Sequence, residues 1–214
     1  VRLALSFASQ AGARRNLESE CRPFDEIRKA AGAKWDEWFG RLRFDGADAR
    51  TAANLRAAQY HLAVQPNLRS DVGEPVRYMN FSLWDTFRAA HPLYTILAPE
   101  RVDDFVNSLL DEFGSRGYLP ILSLFGRDTH CMIGHHSAPV IADAWLKGFR
   151  GFDAKKALAA MNASYRVDHV PESTACWGFM KEDWTLLDQY GYYPFDLTRT
   201  RFRDLLLCGE TVSR

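Results

Sequence analysis

Three stretches of the sequence hold side chains that could do chemistry. In the first, Asn80-Phe81-Ser82-Leu83-Trp84-Asp85-Thr86-Phe87-Arg88, an indole stands beside a carboxylate. An aromatic face can stack on the C–H surface of a sugar ring while a carboxylate accepts hydrogen bonds from its hydroxyls. Asp85 and Arg88 are three residues apart, which on a helix places them on one face. The same residues also fit a core anchor and a weak surface ion pair. The second stretch, Gly126 to Ser137, brings Asp128, His130, Cys131, His135 and His136 close together in the chain. Such ligand types can bind a metal. However, His135 and His136 are adjacent, and neither an HxxxH nor an HExxH spacing occurs. A polar binding loop and ordinary loop structure are the competing readings. In the third stretch, Val140 to Trp145, Asp143 lies in an otherwise apolar run and needs a hydrogen-bond partner, on the plainer reading the neighbouring helix or a loop backbone.

The elements that must position these side chains read mainly as helix. Val1 to Ser9 alternates weakly (Leu3, Leu5 and Phe7 against Arg2, Ala4 and Ser6), which predicts a strand that needs partners. Asn16 to Arg41 predicts one helix, with Phe24, Ile27, Ala31, Trp35 and Trp38 as its apolar face. Ala47 to Val64 predicts a second, stopped by Pro66. A loop follows to Asn80, then helices over Phe81–Ile96 and from Pro99 to Phe113, the latter with proline at its first position. Tyr118 to Phe125 reads as a short strand or an extended connector. Helices are expected over Ala138–Phe149, over Ala154–Met161 behind an Asp153 cap, and over roughly Cys176–Gln189. This pattern predicts a mainly α chain without distinguishing a toroid from a bundle or solenoid.

Composition narrows the function class. Of 214 residues, 47% are hydrophobic and 13% aromatic, so the chain can build a core. Lys plus Arg and Asp plus Glu both number 27, leaving no net charge to attract nucleic acid or an anionic membrane. No apolar run reaches the ~18 residues of a membrane span, and the first residues do not form a signal peptide. Cys21, Cys131, Cys176 and Cys208 are far apart and read as buried or half-buried free thiols.

Further segments extend the pattern: Ala13-Arg14-Arg15-Asn16-Leu17, Tyr60-His61, Pro66-Asn67-Leu68 and Ser70-Asp71-Val72. After them come Phe81 to Arg88, Cys131-Met132-Ile133-Gly134 with His136-Ser137, Val140 to Ala144, Gly151-Phe152-Asp153 and Glu210-Thr211-Val212-Ser213. Taken in this order, they resemble glycoside hydrolase family 92, the α-mannosidases. The resemblance implies an N-terminal β-sandwich joined by a helical linker to an (α/α)6 toroid. It also implies removal of terminal mannose from α-mannoside glycans with inversion, in a calcium-dependent reaction. On that map residues 1–9 are the last strand of the sandwich, 10–46 the helical linker and 47–214 the first part of the barrel. Trp84, Asp85, Asp128, His135 and His136 are then expected to bind substrate.

The chain departs from the family at Arg127-Asp128, where Asn-Glu is usual, and in a shorter stretch between Val72 and Tyr78. The catalytic acid and base, and most calcium ligands, are expected beyond Arg214, so no catalytic or metal-binding residue is assigned here. The expected function is that of a mannosidase fragment inactive by itself, with the remaining segments of its parent protein as partners. A non-catalytic mannose-binding domain and a purely structural helical domain are the alternatives. The resemblance implies a secreted, periplasmic or cell-surface location, with neither nucleic acid nor membrane as a partner.

Overall fold

A computed structural model describes residues 2–129, 132, 135–164 and 188–192. The chain divides into two compact units, Val1–Tyr78 and Met79–Arg214. Both are built mainly from helices, as the apolar spacing predicts, with strands of two or three residues.

The first unit contains α1 (Gln10–Glu20), α2 (Phe24–Gly40) and α3 (Ala49–Val64). The single helix expected over Asn16–Arg41 is instead two. Pro23 stands at the N-cap of α2, and the residue before a proline is pushed out of the helical region, so the chain turns over Cys21–Pro23. Of the predicted apolar face of α2 only Trp38 is buried, while Phe24 and Ile27 are exposed. Trp38 Nε1 donates to the Gln59 carbonyl at 2.7 Å, and Gln59 Nε2 donates back to the Trp38 carbonyl at 2.9 Å. This reciprocal clasp holds α2 against α3. Asp48 caps α3 by accepting from the backbone N–H groups of Arg50 and Thr51. Among the described residues, 2–9 join no strand ladder; the expected terminal strand needs partners to form one. Cys21 is free but exposed rather than buried. The other three cysteines lie outside the described residues.

What anchors the start of the chain is a polar knot. Ser6 Oγ donates to Asp71 Oδ2 at 2.6 Å, and Asn16 Nδ2 donates to Asp71 Oδ1 at 2.9 Å and to the Leu5 carbonyl at 2.8 Å. Asn16 Oδ1 accepts from the Val72 N–H at 2.9 Å. The Ser6 hydroxyl, then the Asn16 amide, lower the Asp71 pKa against the opposing effect of burial, with Arg15 adding to the lowering. Gly12 lies directly against this knot. A Cβ there would sit 2.2 Å from Asp71 Oδ2 and 2.7 Å from Ser6 Oγ. Gly12→Ala is therefore expected to destabilise the chain by about 1–3 kcal/mol through forced displacement of Asp71. Urea unfolding checks this, and an unchanged midpoint would remove the knot from the account.

The second unit begins with β3 (Phe81–Ser82), following the two-residue strands β1 (Asn67–Leu68) and β2 (Tyr78–Met79) earlier in the chain. It continues with α4 (Leu83–Thr86), α5 (Ala90–Leu97) and α6 (Pro99–Arg116). Then come β4 (Leu122–Leu124), β5 (Arg127–Asp128), α7 (Ser137–Leu146) and α8 (Ala154–Ser164). The helix expected over Phe81–Ile96 is thus a strand, one helical turn and a separate helix. Helix α6 is central, packing on α5, α7 and α8. Its buried residues Val102, Phe105, Val106, Leu109 and Leu110 follow the i, i+3, i+4, i+7, i+8 rule of one helical face. Gly117 closes α6 in the left-handed region, with φ 83° and its N–H on the Phe113 carbonyl at 2.7 Å. Asp153 caps α8 as expected, accepting from the N–H groups of Lys155 and Lys156. Of the helix expected over Cys176–Gln189, only its last two residues fall among the described ones. Among the described residues no helix is long and apolar enough to cross a membrane.

Candidate functional site

Strands β3, β4 and β5 form one antiparallel sheet in that order, pairing Phe81 with Ser123, Ser82 with Leu122, and Ser123 with Asp128. The β4–β5 hairpin turns through Phe125 (φ 52°) and Gly126 (φ 73°). Two successive positive φ values match the twist of a tight hairpin. Asn80, itself at φ 66°, accepts from the Phe125 N–H through Oδ1 at 2.8 Å and ties the hairpin tip to the start of β3. Asparagine tolerates the left-handed region better than most side chains.

Helix α4 follows β3 without a break, so the sheet sets where Trp84 and Asp85 stand. Trp84 is half-buried and Asp85 exposed. Ser82 Oγ donates to Asp85 Oδ2 at 2.6 Å. The Arg88 guanidinium lies over the Trp84 ring, 5.3 Å from its centroid. The shared helical face expected for Asp85 and Arg88 is not formed, because α4 ends at Thr86. Each side chain takes a different partner.

Asp128 is buried on β5. Its Oδ1 accepts from the backbone N–H groups of Ile121 and Leu122 at 3.2 and 3.1 Å. His136 is also buried and packs its ring against Phe87, with centroids 4.2 Å apart. His135 is half-buried and accepts the Ala138 N–H through its carbonyl at the entry to α7. Ser137 Oγ bonds to the Pro120 carbonyl just ahead of β4. The sheet pairing, the Phe87–His136 contact and the Ser137–Pro120 bond bring the segments bearing Trp84, Asp85, Asp128 and His136 into one neighbourhood. Within it, Asp85 faces solvent, while Asp128 and His136 are turned to the protein. His130 and Cys131 lie outside the described residues.

Two buried polar residues behind this surface are not evident from sequence spacing. Glu112 of α6 accepts from Ser123 Oγ at 2.6 Å, tying the central residue of the sheet to the central helix. His91 of α5 stacks on Phe81 at 6.1 Å and meets Phe105 edge-on at 5.9 Å. Burial lowers its pKa to about 4, against a smaller opposing effect of Asp143. Asp143 itself accepts from Lys147 Nζ at 2.7 Å, one helical turn on, which gives this acid the partner it needs. Among the described residues no three His, Cys, Asp or Glu side chains are grouped to hold a metal ion.

Residues 12–205 match the glycosyl hydrolase family 92 catalytic domain. The chain belongs to glycosyl hydrolase family 92. Its fold is similar to that of a family GH92 α-mannosidase of Bacteroides thetaiotaomicron, with 31% identity and a TM-score of 0.75. That match covers 90% of this chain and 27% of the other. An inverting family GH92 mannosidase of B. thetaiotaomicron VPI-5482 is similar at 26% identity and a TM-score of 0.77, covering 89% of this chain and 28% of its own. A complex of the first enzyme with mannoimidazole is similar at 30% identity and a TM-score of 0.73, covering 90% of this chain and 26% of its own. The family 92 chain thus spans about a quarter of the length of these solved relatives. No curated protein sequence matches it.

Proposed function

We propose that this chain is part of the catalytic domain of an inverting exo-α-mannosidase and supplies contacts to the terminal mannose of an α-mannoside glycan. Within that reading its helices belong to an (α/α)6 toroid, joined through a helical linker to a β-sandwich, and calcium serves the parent enzyme. The observation that carries the proposal is Trp84 and Asp85 on one turn of a chain matching the family 92 catalytic domain. The ring is half-buried, the carboxylate is exposed, and one of its oxygens is oriented by Ser82. An indole face and a carboxylate together offer a pyranose both an apolar platform and a hydroxyl acceptor. Asp128 and His136 support this surface from behind, and His135 stands at its edge.

Inversion requires a general acid and a general base whose carboxyl groups are roughly 6.5–9.5 Å apart, with water between them. The family resemblance assigns neither to this chain. Binding contacts act on substrate and transition state alike and raise affinity more than rate. The purified chain is therefore expected to bind methyl α-mannoside saturably yet show no turnover of an aryl α-mannoside in calcium. Turnover would overturn this division of labour. If Asp128→Asn then abolished it, Asp128 would be a catalytic acid. Absence of methyl α-mannoside binding would leave the chain a structural helical domain.

A further inference from the structure

Trp84 and Asp85 project from a helix only four residues long, which has little rigidity of its own. A flexible indole and a flexible carboxylate would lose conformational freedom on meeting a sugar. Two neighbours restrain them. The Arg88 guanidinium lies over the Trp84 ring, and among the described residues that ring is its partner. Ser82 Oγ holds Asp85 Oδ2, leaving Oδ1 as a further acceptor. Ser82 is in turn placed by β3, whose partner Leu122 belongs to the strand entry that Asp128 shapes. Thr86 Oγ1 donates to the Ser82 carbonyl at 3.1 Å, closing the same turn.

We infer that Ser82 and Arg88 are positioning residues that pre-organise Asp85 and Trp84 for a pyranose ring. Ser82 acts through a hydrogen bond to the carboxylate and Arg88 through a cation–π contact with the indole. The inference rests on the sugar-binding reading of Trp84 and Asp85. A cation over indole is satisfied by lysine as well as arginine, and the hydroxyl of Ser82 can be replaced by that of threonine. Those substitutions separate positioning from bulk packing.

The test is calorimetric titration of the chain with methyl α-mannoside, together with the indole N–H resonance of Trp84, assigned by its loss in Trp84→Phe. Ser82→Ala and Arg88→Ala are each expected to weaken binding about 3–10-fold. Ser82→Thr and Arg88→Lys are expected to recover most of it, with all four variants melting as the parent chain does. In the free chain Arg88→Ala should shift and broaden the Trp84 resonance, whereas Arg88→Lys should leave it in place. Alanine variants that bind like the parent would overturn the inference, as would lysine and alanine being equally damaging. A parent chain that does not bind the sugar would refute the sugar-binding reading itself. A Trp84 resonance indifferent to Arg88→Ala would refute the Arg88 restraint whatever the sugar result.

Discussion

Replacing Asp128 with alanine is expected to destabilise the chain by about 3 kcal/mol, whereas asparagine should be tolerated far better. The carboxylate is buried and its Oδ1 accepts from two successive backbone N–H groups, those of Ile121 and Leu122. Alanine would leave both donors without this acceptor, and an unmade hydrogen bond at a buried donor costs about 1–3 kcal/mol. Asparagine keeps an oxygen at the same reach. Urea unfolding of the two variants against the parent chain measures the difference, and an alanine variant of parental stability would show that the hairpin does not depend on this acid. Sugar affinity adds a second readout. If Asp128 only shapes the strand entry, Asp128→Asn should bind methyl α-mannoside like the parent. A folded Asp128→Asn variant that has lost affinity would place the carboxylate in contact with the sugar.

The second large effect is acid sensitivity from His91. The ring is buried between Phe81, Tyr94 and Phe105, and burial brings its pKa down from 6.5 to about 4. The fold accepts the neutral ring, while the unfolded chain takes up a proton near 6.5. Between these values the unfolded state binds more protons, so stability falls as the pH drops from about 6.5 to about 4. Above 6.5 the contribution is fully present, and below 4 the folded ring is protonated too. The whole window corresponds to about 3 kcal/mol. Tyr94, raised to about 12 by burial, does not titrate there, and Asp143 opposes the His91 shift only in part. His91→Phe keeps the ring stacking and removes the proton site. Unfolding free energies at pH 7.5, 5.5 and 4.5 should therefore decline less for the phenylalanine variant, by up to that amount. Parallel declines would mean that the acid response lies elsewhere.

These effects arise behind the surface that bears Trp84 and Asp85, which explains why they are harder to read from the chain than the surface itself. Phe81 is far in sequence from Ser123 and Asp128 and becomes their neighbour only through the three-stranded sheet. The hairpin that joins β4 to β5 turns on Phe125-Gly126, without the Asn-Gly or Asp-Gly pair that marks most such turns. The segment therefore reads as a connector and a loop. Glu112 looks like one more polar residue of an amphipathic helix, and only packing against Ser123 gives it a buried role. The polar knot around Asp71 likewise joins Ser6, Asn16 and Asp71 across more than sixty residues.

The sequence by itself determined the helical class, because apolar spacing and capping residues are local quantities. The 3.6-residue periodicity of α6, Pro99 at its start, the Asp153 cap and the stop at Pro66 all act within a few residues. Its ordered motifs also resemble family 92, to which the chain belongs. The break at Pro23 is also local, since a proline restricts the residue before it, although the continuous apolar pattern masks it. Tertiary structure decided the division of Phe81–Ile96 into strand, turn and helix. It also separated the exposed acid Asp85 from the buried acid Asp128. Whether a carboxylate meets solvent or backbone N–H groups depends on how the chain folds back beside it. The β4–β5 hairpin returns Asp128 to the Ile121 and Leu122 N–H groups, while among the described residues Asp85 has only the Ser82 hydroxyl.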